Sequence, residues 1–212
     1  MPGCGRCPAP GSPSLTHLTM SSMEEKKEQI LGYEQRFAYR LADSVIEKPG
    51  LSIWMILIPI ILVFHIYRHQ RYVDGKNAFA QNYLVTRERA LVEAFESAAA
   101  GRAARTDDIV EKAGIPPETR FAYADWVCEL VGHYADLLGS DGRNLEEMVR
   151  SVFRSRTNYQ LFLRRLGEKE HRFHDALRPS IEKTAPEAAQ VIERMEAGAI
   201  RLRKEHAEAV FP

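Results

Sequence analysis

Two acid–histidine pairs, Glu129 with His133 and Glu170 with His174, stand four residues apart in stretches of helical periodicity. That spacing puts a carboxylate and an imidazole on one helix face, an arrangement that can hold a metal ion inside a bundle. Glu170 also falls in the row Leu163, Leu166, Glu170, Phe173, Leu177, a slot where an apolar residue is expected. A second pattern is basic. Between Arg143 and Arg165 six arginines face two acids, interleaved with Phe153, Tyr159 and Phe162. Arg150, Arg154, Arg164 and Arg165 are the candidates here for holding phosphate, RNA or anionic lipid headgroups. The competing reading is that the aromatics are core and the arginines are paired with nearby acids.

Glu168-x-x-His171 repeats the spacing of half a ferritin-like di-iron site, but such a site needs two of these sequences and two further glutamates. Thr106 to Val127 resembles the helix-turn-helix of bacterial repressors, carried by Ile109, Ala113, Gly114, Ile115 and Thr119. Against a DNA reader, Pro116 and Pro117 occupy the start of the would-be recognition helix, and Arg120 is its one basic residue. Cys4 and Cys7 form C-x-x-C in a Pro/Gly-rich stretch with no second pair. Cys128 reads as a small buried hydrophobe. There is no P-loop, no G-x-G-x-x-G, no G-x-S-x-G and no H-E-x-x-H, so no catalytic motif and no particular cofactor is indicated.

The elements that must position these residues are helices. Residues 1–22 are rich in Pro, Gly and Ser and are expected to be a disordered tail, with Met23 a candidate natural start. Residues 23–48 carry the stripe Ile30, Tyr33, Phe37, Leu41, Val45 and read as an amphipathic helix, with Glu34 off the stripe. Residues 76–212 read as an all-α soluble domain: a helix from Lys76, a short one at Thr106, one from Pro116 to Gly139, and one capped by Asn144. A long helix closed by Pro179 and a last one from Pro186 complete it. No segment alternates with the period of a strand.

Between these parts lies LSIWMILIPIILVFHIY, residues 51–67, seventeen residues without Asp, Glu, Lys or Arg. A transmembrane helix is expected there, extending up to residue 72, with Leu51, Trp54, Pro59, Phe64 and Tyr67 in the span and Arg68 and Arg71 as interface anchors. Trp54 and Tyr67 suit the aromatic belts of the bilayer surface. Pro59 would break a water-soluble helix, but membrane helices tolerate proline. The alternative is a re-entrant insertion kinked at Pro59. The RHQR cluster, residues 68–71, tips the C-terminal domain toward the cytoplasm.

Lys+Arg and Asp+Glu both total 29, so no overall charge draws the chain to nucleic acid. The reading is a single-pass membrane protein with an all-α domain, an adaptor or accessory protein whose partners are the lipid bilayer and another protein, or a second copy. A membrane-tethered helix-turn-helix regulator and a helical-bundle metalloprotein are the rival functions. The stripe of residues 24–47 and the helix of residues 186–210 are the surfaces expected to meet a partner.

Overall fold

Where sequence periodicity called for helices, the computed structural model has them; it describes residues 15–45, 75–184 and 188–212. The helices are α1 (Leu15–Val45), α2 (Gly75–Ala100), α3 (Thr106–Glu111), α4 (Arg120–Leu138), α5 (Leu145–Phe153), α6 (Arg156–Thr184) and α7 (Ala188–Val210), with a 3₁₀ turn at Pro117–Thr119. The protein is all-α, with no strand among the described residues. Residues 51–67 and their anchors Arg68 and Arg71 lie outside the described residues, so the expected span is not among these helices. No helix that is described is long and apolar enough to cross a membrane.

The stripe on α1 is buried, but by this chain's own helices. Ile30, Ala38, Leu41 and Ala42 have almost no exposure, and α1 lies along α2 and α7. A helix of this length gains most of its stability from such packing rather than from propensity. Phe37 and Leu41 share a cluster with Phe79, Val191, Ala199 and Leu202, which also covers the apolar face of α7. The two surfaces expected to await a partner therefore cover each other.

Contacts along α1 and α2 run in opposite order. Lys27, in the first half of α1, lies over the ring of Phe95 near the end of α2, at 4.4 Å. In the middle, Glu34 faces Arg87 at 3.7 Å. Farther on, Phe37 stacks on Tyr83 with centroids 6.0 Å apart, and Leu41 and Val45 cluster with Phe79. The two helices are antiparallel, so Val45 and Gly75 emerge at the same end of the bundle. The pairs His174–Glu196, Glu170–Arg203 and Arg156–Glu208 order α6 against α7 in the same antiparallel way.

Two boundaries differ from the sequence reading. Helix α1 begins at Leu15, not after residue 22, because a helix anchored downstream gains one backbone bond for each residue it adds. Residues 1–14, with Cys4 and Cys7, lie outside the described residues. Helix α6 runs through Pro179 to Thr184. Proline removes one backbone bond, but Leu177 and Ile181 on either side are buried in the core and hold the chain in register. Asn144 caps α5 as expected, its side chain accepting from the Glu147 N–H at 2.9 Å. Cys128 is exposed rather than buried, since the apolar face of α4 passes through Val127, Leu130 and Val131.

Candidate functional site

Four charged side chains from four helices meet in the interior: Glu34 of α1, Arg87 of α2, Glu170 of α6 and Arg203 of α7. Each sits at an apolar position of its own helix. Ile30, Glu34, Phe37 and Leu41 follow one face of α1, and Leu84, Arg87 and Leu91 follow one face of α2. Packing those faces together carries the charges inward, where each must find a partner or stay out of water at high cost.

Glu170 is the centre. It accepts from Arg87 Nη2 at 2.9 Å on one carboxylate oxygen and from Arg203 Nη2 on the other. Arg87 Nη2 also donates to the Tyr83 hydroxyl at 2.7 Å, and the guanidinium lies 4.5 Å above that ring. Glu34 accepts from the Tyr134 hydroxyl at 2.8 Å, which ties α4 into the same network. Two carboxylates face two guanidinium groups, so the cluster is formally neutral. Burial by itself would push the Glu170 carboxyl up; Arg203, Arg87 and His174 outweigh it and hold the group at about 2. Burial likewise works against the charge on Arg87, and the neighbouring Tyr83, Glu170 and Glu34 reverse that, raising it. Arg87 Nε has no hydrogen-bond partner, its closest acceptor being Glu34 at 3.7 Å.

Beside this cluster, α6 and α7 leave a cavity of about 500 Å³. Leu163, Met195, Ala199 and Ile200 form apolar parts of its wall, with Glu170 and Arg203 also on the lining. At one edge Glu196 of α7 bridges two imidazoles of α6, His174 Nδ1 at 2.7 Å and His171 Nδ1 at 3.0 Å. The hydrogen bond to Glu196 raises the His171 pKa. Burial would raise the Glu196 carboxyl, but its bonds to His174 and His171 lower it.

The four candidate metal ligands go to different surroundings. Glu170 is taken by the two arginines and His174 by Glu196. Glu129 accepts from Arg165 Nε at 2.8 Å and pairs with Lys169 at 3.1 Å. His133 lies among rings, 4.4 Å from that of Phe162, with Nδ1 unpartnered. No group of three or more His, Cys, Asp or Glu among the described residues is placed to hold a metal ion. The arginine candidates also separate. Arg150 donates to the Val210 carbonyl at 2.8 Å, and Arg154 ends α5 in the left-handed conformation. Arg165 is committed to Glu129, while Arg164 is exposed, 3.8 Å from Glu168.

The corner at residues 106–127 exists, with Gly114 at φ +64° making the turn. Its second helix, however, is the central helix of the core: Tyr123, Trp126, Val127, Leu130 and Tyr134 of α4 are all buried. Of the junction's four charges the sequence pointed only to Glu170. Glu34, placed off the stripe in sequence, is buried on it, and Arg87 and Arg203 were not singled out. The signal that finds them is a charged residue at an apolar helical slot, recurring on four helices with opposite signs in balance. No protein-family model, curated protein or solved structure matches the chain.

Proposed function

We propose that the protein is a membrane-anchored adaptor or accessory protein, whose residues 51–67 hold the helical domain at a bilayer surface, on the cytoplasmic side. One observation carries this reading: seventeen consecutive residues without a formal charge, in a chain that is 27% charged as a whole. A run of that length has no business on a water-facing helix, where charges recur every turn or so. Trp54 and Tyr67 near its ends, and Arg68 and Arg71 beyond it, are the residue types that settle at the lipid–water boundary. The described domain supports an adaptor in a second way. Its inward charges are committed to fixing helices together, which makes a stiff platform. Phe121 of α4 and Ile200 of α7 are large apolar side chains left exposed on that platform, where a protein partner would find them.

The test is alkaline carbonate extraction of membranes carrying the full chain, beside a variant lacking residues 51–67. The full chain is expected in the pellet and the variant in the supernatant, with the helical circular dichroism of the bundle retained. Release of the full chain would overturn the anchor.

A further inference from the structure

A chain that crosses a bilayer once leaves its two flanking segments on opposite sides. The two segments flanking residues 46–74 are α1 and α2, and they are packed on each other. Their contact extends from Lys27 over Phe95 through Glu34 beside Arg87 to Leu41 and Val45 beside Phe79. It includes a buried ion pair, with side chains only 3% and 10% exposed, which cannot form across a hydrocarbon layer. Because the pair is antiparallel, the chain leaves the bundle at Val45 and returns at Gly75 at one and the same end.

We propose, on the reading that residues 51–67 engage lipid, that the segment enters and leaves through the same face of the membrane. The end of the bundle formed by Val45 and Gly75 is then the face apposed to the bilayer.

Two features of the sequence agree with that geometry. Pro59 is the ninth of the seventeen residues, so it divides the run into two arms of eight. Eight helical residues reach ~12 Å, close to the depth of one leaflet, and the whole run reaches only ~25 Å of a ~30 Å core. Second, each flank carries three basic residues: Arg36, Arg40 and Lys48 precede the run, and Arg68, Arg71 and Lys76 follow it. A single crossing would set those two groups on opposite sides, whereas cytoplasmic flanks are the ones that collect Lys and Arg. Re-entry places both groups on one side of the membrane.

The experiment uses the full chain in sealed membrane vesicles of one orientation, with Cys4→Ser and Cys7→Ser throughout. Native Cys128, exposed on α4, reports the C-terminal domain. Glu28→Cys, an exposed position of α1, reports the N-terminal side in a chain that also carries Cys128→Ser. A membrane-impermeant maleimide is added before and after permeabilisation. The two positions are expected to behave alike, both labelled at once or both only after permeabilisation, so that the ratio of their extents stays near unity. Labelling of one position alone in sealed vesicles overturns the proposal and leaves the anchor standing. Carbonate release of the same samples removes the anchor, and this topology falls with it.

Discussion

Along α6 the interior of the bundle changes character within one turn. Phe173 stacks on Trp126 with centroids 5.7 Å apart and meets Tyr123 at 5.0 Å, in a region built of rings and aliphatic side chains. Three residues earlier, Glu170 stands among Arg87, Arg203 and Tyr83. Both regions are almost without exposure. They differ in what holds them. The aromatic region is non-directional and tolerates rearrangement, because any side chain of suitable volume removes similar area from water. The charged junction is directional. Each group needs its partner at a particular point, so it selects which faces of α1, α2, α6 and α7 meet while adding little net stability. The expected division of labour is that burial of area makes the bundle stable and a neutral set of buried charges selects one arrangement of it.

The largest effect expected from breaking this contrast lies on the charged side. Glu170→Ala strands the Arg203 guanidinium and leaves Arg87 with Glu34 alone at 3.7 Å, and should cost about 3–5 kcal/mol in urea unfolding, as unpaired buried charges do. Replacing all four charges together, Glu34→Leu, Arg87→Met, Glu170→Leu and Arg203→Met, should return most of that loss. If the fourfold variant is as unstable as the single one, specificity is not what the junction supplies. On the aromatic side, Phe173→Ala should cost roughly 3–5 kcal/mol through lost contact and a cavity, with no recovery from a compensating charge change. Double-mutant cycles that couple Phe173 to Arg87 by more than about 0.5 kcal/mol would show the two regions to be one.

Acid should act next, and through the ring-lined side. Burial, with Arg87 and His206 nearby, lowers His133 to about 3, and burial lowers His206 to about 4. Both folded values lie below the ordinary one, so the unfolded chain takes up protons first as pH falls. The stability they contribute is whole above about pH 6.5 and fades toward pH 4, by roughly 1.4 kcal/mol per histidine per pH unit. His171 has the opposite sign: its raised pKa favours the fold at low pH and is lost as pH rises, but its exposure keeps that contribution small. Glu170, held at about 2, adds its own loss only in stronger acid. Melting temperature should therefore drop between pH 7 and pH 5, and His133→Phe should flatten the drop. An unchanged slope would mean that His133 is not buried neutral. The smallest effect belongs to neither region: Asn144→Ala removes the α5 cap, and its expected cost of about 1 kcal/mol would appear as a shifted urea midpoint with unchanged slope.

Much of the site was legible only in part. Helical periods located the main helices and the Asn144 cap, because those depend on neighbours one turn away. Glu170 was visible as an acid in an apolar row. Glu34, Arg87 and Arg203 carry the same mark more faintly, since each also sits beside polar neighbours that suggest a wet face. The extension of α6 through Pro179 was not legible, because the buried Leu177 and Ile181 that override it are held by other helices.

By itself the sequence determined that this chain is helical, that residues 51–67 carry no formal charge, and where most helices begin. These are local properties, set by spacing and by runs of residue type. Only the tertiary structure decided that α1 covers α2 and α7 instead of awaiting a partner, and that Arg87 and Arg203 converge on one carboxylate. It also decided that the chain leaves and rejoins the bundle at a single end. Direction and partnership of helices are not written in any one helix, because an apolar stripe specifies a face to bury and leaves open what buries it.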